Sequence, residues 1–162
     1  MCGGPGCGKS TCATGLFHFM KIEGYNVELV VEFAKELVYE KQWEMLKDQK
    51  HVLAEQARRI QRLVNDVDYV ITDSPLFLTL VYNQGSPTIS TLAMEEFNRY
   101  DNINFLVNRK ETFDQIGRMQ DLEESIKIDQ ICENILLTNQ LPYVRINGVT
   151  DALNFIKGQE ND

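Results

Sequence analysis

Apolar residues recur along this chain at two alternating spacings. Leu16, Phe17, Phe19 and Met20 sit at helical steps within residues 10–23, and Gly24 offers a natural stop. The run Val27-Glu28-Leu29-Val30-Val31 reads as a strand leading into Glu32-Phe33-Ala34. Residues 35–47 look helical but irregular. Between 51 and 66 the pattern is cleaner, with Leu53, Ala57, Ile60, Val64 and Val67 repeating in steps of four and three. Tyr69-Val70-Ile71-Thr72 is an apolar, β-branched run of the buried-strand kind, ending at Asp73-Ser74-Pro75.

Residues 76–82 are apolar on every side, which predicts a buried helix broken by Gly85-Ser86-Pro87. Ser90 is placed to cap a further helix reaching about residue 100. Asn104-Phe105-Leu106-Val107 reads as the next strand, followed by a polar stretch over 108–120. In residues 121–138, Ile128, Ile131, Cys132, Ile135 and Leu136 share one helical face. Pro142-Tyr143-Val144-Arg145-Ile146 reads as a last strand and 149–157 as a last helix. Strands alternating with helices predict an α/β protein with a parallel sheet covered on both faces. No composition shift marks a linker, so residues 1–158 read as one domain and 159–162 as a loose tail.

The chemistry begins with Gly3-Gly4-Pro5-Gly6-Cys7-Gly8-Lys9-Ser10, followed by Thr11. It fits G-x-x-x-x-G-K-[ST], the Walker A phosphate loop. Glycines let the backbone turn with its N–H groups inward to cradle phosphates, the lysine reaches the β- and γ-phosphates, and the hydroxyl of Ser10 can ligate Mg²⁺. A helix starting near Ser10 aims its positive dipole end at the same charge. Such a loop hangs from the end of a central strand, yet only Met1 and Cys2 precede Gly3. An empty central slot would leave buried backbone groups unpaired, so a truncated first strand is expected instead.

Three further sets of residues are candidates. Asp73 ends a buried strand in the Walker B manner, able to hold Mg²⁺ or to accept a proton from an acceptor hydroxyl; the alternative is a helix cap. Glu32 ends the preceding strand in the same sense and opens at the edge where ligands bind, as an acceptor ligand or a solvated carboxylate. Arg109, Lys110 and Arg118 follow the next strand, and arginines on such a segment can neutralise a transferring phosphoryl group. Arg109 and Arg118, nine residues apart, face the same way only if the segment bends, for which Gly117 is available; a solvated charged loop is the alternative. Arg58, Arg59 and Arg62 read first as the wet side of a helix and second as a place for an acceptor phosphate. Trp43 is either core or a base-stacking platform, and Asn147-Gly148 is a candidate border for adenine.

Charge narrows the partners. The net charge of −8 disfavours DNA, although a local basic groove stays open as an exception. No apolar run is of membrane-spanning length and no leader pattern opens the chain, which points to the cytoplasm. Cys2, Cys7, Cys12 and Cys132 read as reduced thiols, with Cys7 a possible reactive one beside a helix N-terminus.

With the phosphate loop, Glu32-Phe33-Ala34, Thr72-Asp73-Ser74-Pro75 and Gly117-Arg118 in order, the chain resembles a P-loop kinase family. That family includes the ribosylnicotinamide kinase domain and small bacteriophage AAA-type ATP-binding and nucleotide kinase proteins. The resemblance spans about residues 3–156 and implies a three-layer α/β/α fold of the nucleoside-monophosphate-kinase kind. It also implies ATP with Mg²⁺, a lid over about 108–121, and the host cytoplasm if the chain is phage-encoded. Carried over, it assigns phosphate binding to residues 3–11, the metal to Ser10 and Asp73, the acceptor to Asp73, and the lid arginine to Arg118. Lys9, Asp73, Arg118 and Arg109 are thus the catalytic candidates, with Glu32 on the acceptor side. The expected reaction moves the γ-phosphoryl of ATP to a small nucleoside- or nucleotide-type acceptor. Alternatives are a phage kinase acting on a hydroxymethylated base in DNA, or an NTP-driven ATPase or switch with a protein partner. Nothing in the sequence specifies an oligomer.

Overall fold

A computed structural model describes residues 1–109 and 121–159. Most of the expected lid, with Lys110, Gly117 and Arg118, lies outside the described residues. Short β-rich runs form four strands among those described: β1 (Val27–Val30), β2 (Tyr69–Thr72), β3 (Asn104–Val107) and β4 (Tyr143–Ile146). They pair in parallel, β1 with β2 from Val27 against Tyr69, and β3 with β4 from Asn104 against Tyr143. Met1 and Cys2 lie between the pairs. Cys2 bridges to Leu106, its N–H donating to Phe105 O at 2.8 Å and its carbonyl accepting from Val107 N–H at 3.0 Å. The Met1 ammonium donates to Thr72 O on the other side at 2.7 Å.

Helices flank these strands. After the phosphate loop comes α1 (Lys9–Ile22); β1 is followed by α2 (Phe33–Tyr39), α3 (Trp43–Lys47) and α4 (Gln49–Gln61). Between β2 and β3 lie a 3₁₀ turn (Leu76–Leu78), α5 (Thr79–Tyr82) and α6 (Pro87–Phe97). The chain closes with α7 (Leu122–Thr138), β4 and α8 (Val149–Gln159). Among these residues no helix is long and apolar enough to cross a membrane.

Strand alternation divides the core. Phe105, Val107, Val27, Ile71 and Ile146 pack with Leu16 and Met20 of α1 and Ile156 of α8. Leu106 and Val30 pack instead with Leu53 and Ile60 of α4, Phe97 of α6, and Cys132 and Leu136 of α7. Strand β3 is buried along its whole length, whereas β1 leaves Glu28 half-buried and β4 leaves Arg145 exposed.

Several expected boundaries shift for local reasons. The helical spacing through Val64 and Val67 outlasts its helix: α4 ends at Gln61, the chain turns so that Asp68 N–H reaches Asn26 O at 2.9 Å, and Val64 is left exposed. Helix α6 starts at Pro87 rather than near Ser90, because proline at the first position pre-sets the helical φ. Ser90 is then interior and accepts from Asn83 Nδ2 at 2.7 Å. Residues 76–82 are split between the 3₁₀ turn and α5, although the expected burial holds for Leu76, Phe77 and Leu78. On α7 the buried stripe is Ser125, Ile128, Cys132 and Leu136, and Ile131 faces outward. A reciprocal cap starts that helix, with Glu124 N–H donating to Asp121 Oδ1 at 2.9 Å and Asp121 N–H donating back to Glu124 Oε2 at 3.2 Å.

Candidate nucleotide and acceptor site

The phosphate loop turns on glycines at positive φ, +77° at Gly6 and +106° at Gly8, a region that strains any side-chain-bearing residue. Gly8 is the N-cap of α1 and brings no side chain to it, so the first-turn N–H groups stay available to an anion. Cys7, between these glycines, is buried with the α1 and α8 core and pins the loop from below. The Lys9 ammonium donates to Gly4 O at 3.0 Å.

The two strand-end carboxylates meet this loop differently. Ser10 Oγ donates to Asp73 Oδ2 at 2.5 Å, which joins both expected metal ligands. Asp73 is 3% exposed, and its buried Oδ1 has no hydrogen-bond partner among the described residues, an orphaned acceptor that fits a divalent cation. Glu32 sits at the N-cap of α2. Burial raises its proton affinity above the ordinary carboxylate level; the nearby charge of Lys9 opposes this and that of Asp73 adds to it. Glu32, Asp73 and Lys9 are therefore mutual electrostatic neighbours.

A cavity of about 480 Å³ opens from the loop between α2, α3, α4 and the 3₁₀ turn. Lys9, Ser10 and Glu32 line its polar end, and Val38, Leu46, Val52 and Leu78 supply apolar wall. Gln56, 4% exposed, stitches that wall together. Its Oε1 accepts from Phe33 N–H at 2.9 Å, while Nε2 donates to Val31 O and Thr72 Oγ1, each at 3.4 Å. These groups flank Glu32 on both sides and precede Asp73. The sequence signal for Gln56 was a polar residue inside the Leu53, Ala57, Ile60 stripe.

Arg109 lies behind the loop. Its Nε donates to Asp129 Oδ2 at 2.7 Å, Nη1 to Pro5 O at 2.9 Å and Nη2 to Ser125 O at 3.2 Å. Asp129 Oδ1 also accepts from Gly4 N–H at 2.5 Å. Asp129 escaped sequence analysis because a charged residue on a long helix carries no signal of what it will meet.

The second basic group is engaged elsewhere. Arg59 pairs with Glu36 at 2.6 Å and Glu55 at 3.0 Å and stacks 4.7 Å over Phe33, and Arg58 pairs with Glu55 at 2.8 Å. Hydrogen bonds from Arg58 and Arg59 push the Glu55 carboxyl down to about 2. Trp43 is 41% exposed and so is not core. Asn147 is exposed, its side chain accepting from Asn108 Nδ2 at 2.8 Å at the strand edge. All four cysteines are buried and unbridged; burial pushes Cys2 up to about 11 and Cys132 up to about 12, away from thiolate chemistry.

A family model described as an AAA domain matches residues 1–152. No curated protein matches the chain.

Proposed function

The chain belongs to the AAA domain family of P-loop nucleotide-binding proteins, and on that premise we propose that it is an ATP-dependent phosphotransferase acting on a small nucleoside-type acceptor. One observation carries this: the phosphate loop opens into a cavity of about 480 Å³ whose polar end holds Glu32 and Lys9 and whose far wall sets Val38, Leu46, Val52 and Leu78 among polar side chains such as Lys35 and Gln49. The cavity runs from the phosphate loop on to α2, α3 and α4, which leaves room beside the phosphates for an acceptor with a flat base and polar hydroxyls.

The roles divide between the carboxylates. Asp73 and Ser10, already joined, would hold Mg²⁺, which when bound neutralises the phosphates and aligns them for in-line transfer. Glu32 orients the acceptor hydroxyl and takes its proton, a task suited to a carboxylate whose proton affinity is raised by burial. Lys9 leaves Gly4 O to meet the β- and γ-phosphates. Arg118, outside the described residues, is the proposed lid arginine, and Asn147-Gly148 the proposed adenine border. Two separate cores against the strands support a three-layer, nucleoside-monophosphate-kinase-like arrangement. Because Arg58 and Arg59 are paired with Glu55 and Glu36, they support a small acceptor rather than a DNA groove.

Purified protein incubated with γ-labelled ATP, Mg²⁺ and a nucleoside panel is expected to move label onto one or a few nucleosides. Label released only as inorganic phosphate, with every acceptor present, would overturn the phosphotransferase reading in favour of an ATPase.

A further inference from the structure

We propose that Asp129 is a positioning residue for the nucleotide: it holds the first turn of the phosphate loop in its binding shape and couples that shape to Arg109. The inference rests on the nucleotide site above but not on the identity of the acceptor.

The loop has two sides with different needs. Its inward N–H groups must stay open for phosphate, so its remaining polar groups have to be satisfied from behind. Gly4 is gripped at both ends. Its carbonyl accepts from Lys9 Nζ at 3.0 Å and from Cys7 N–H at 3.4 Å, and its N–H donates to Asp129 Oδ1 at 2.5 Å. When Lys9 turns to a phosphate it abandons Gly4 O, and the Asp129 bond then holds this residue in place. Next along the loop, Pro5 has no N–H, and its carbonyl is taken by Arg109 Nη1 at 2.9 Å. Arg109 is itself aimed by Asp129 Oδ2 at 2.7 Å and by the Ser125 carbonyl at 3.2 Å.

The approach of loop to helix is close enough to be a constraint in its own right. A Cβ on Gly4 would stand 2.2 Å from Ser125 O and 3.0 Å from Asp129 Oδ1, so any side chain there forces loop and α7 apart. The pair is also well shielded, with the Arg109 side chain 12% exposed and that of Asp129 24%, where charge-assisted hydrogen bonds are strongest.

Charge alone argues against a carboxylate here. A negative group behind a phosphate site weakens binding by Coulomb repulsion. Removing it therefore has opposite consequences under the two accounts: tighter phosphate binding if its role is merely electrostatic, weaker if it sets the loop's geometry.

The test compares wild type with Asp129→Asn, Asp129→Ala and Arg109→Gln. The probes are MgATP and inorganic tripolyphosphate, with affinity read by calorimetry and folding by circular dichroism and melting. Asp129→Ala is expected to weaken both probes about tenfold or more, the scale of a lost hydrogen bond to a charged group. Asp129→Asn, nearly isosteric and with an acceptor oxygen for Gly4 N–H, is expected to weaken them several-fold in the same direction, as is Arg109→Gln. Unchanged or tighter binding by folded Asp129→Asn overturns the proposal, including the case in which its melting temperature falls while affinity does not. If Asp129→Ala fails to fold, Asp129→Asn decides the matter, since loss of the Arg109 cation weakens an anionic probe under either account. A wild-type protein that binds neither probe overturns the nucleotide reading itself, and this inference with it.

Discussion

Behind the phosphate loop, Asp129, Arg109 and the Ser125 carbonyl make four directed contacts to one another and to Gly4 and Pro5, at 2.5 to 3.2 Å. Across the cavity, α3 is a five-residue helix that buries none of its side chains, with Trp43 and Met45 exposed on it and Tyr39 of α2 exposed at the cavity wall. The loop must meet a ligand whose shape never varies, and short charge-assisted bonds define such geometry well. Under the proposed function the opposite wall meets the acceptor, and a thinly packed wall opens and closes at little cost. The contrast sets a tightly bonded phosphate loop against a thinly packed α3, the donor and acceptor sides of the proposed transfer.

The sharpest way to break this contrast is at its centre. Lys9→Ala is expected to lower phosphoryl transfer by about a thousandfold and to weaken MgATP, leaving the melting temperature near wild type. Retained transfer would separate the motif from the chemistry.

Next in size is Glu32→Gln, expected to lower kcat by about a hundredfold to ten-thousandfold while MgATP binds as well as or better than to wild type, since the variant loses the proton acceptor and a negative charge near the phosphates. Because burial raises the proton affinity of Glu32, the rate should fall with acidification at a pH above the ordinary carboxylate range. The same shift has a sign for stability. A carboxyl whose proton affinity is raised by folding contributes stability fully present at pH below its unfolded pKa and lost as pH rises through the folded one. Glu32→Gln should therefore raise the melting temperature at pH 7 and lose that advantage in acid. An unchanged melting temperature across this range would remove the buried charge from the argument.

Gln56→Leu tests the seam between the two carboxylates. It orphans Phe33 N–H and should cost about 1–3 kcal/mol of stability, read by denaturant melts, together with a fall in kcat larger than any change in the KM for ATP. The smallest effect belongs to the compliant wall. Leu46→Ala on α3 should change stability by less than about 1 kcal/mol but raise the acceptor KM several-fold, with ATP untouched. In hydrogen exchange α3 amides should be lost early and those of α7 late. Equal protection of the two would dissolve the comparison.

Much of this was legible along the chain for local reasons: largely buried strands are rich in apolar and β-branched residues, and a loop that cradles phosphate must place glycines where φ is positive. Gly6, Gly8, Lys9 and Ser10 followed from that, as did the four strands. Where a pattern depended on contacts not yet known, it misled. Val64 and Val67 kept the helical beat after α4 had ended, because nothing local announces that Asp68 must turn to reach Asn26. Ile131 shared a helical face with Cys132 on paper, yet the packed stripe runs through Ser125 instead.

What the sequence determined by itself was therefore the set of local obligations: strand, helix, phosphate loop, and the carboxylates Asp73 and Glu32 at strand ends. Only the tertiary structure decided which distant groups would meet. It set Arg109 behind the loop rather than in the cavity, Asp129 under Gly4 from 125 residues away, and Gln56 across the backbone on both sides of Glu32. Local conformation depends on neighbouring residues and can be read in order. A hydrogen bond between remote positions depends on how whole elements pack, and neither partner's identity announces it.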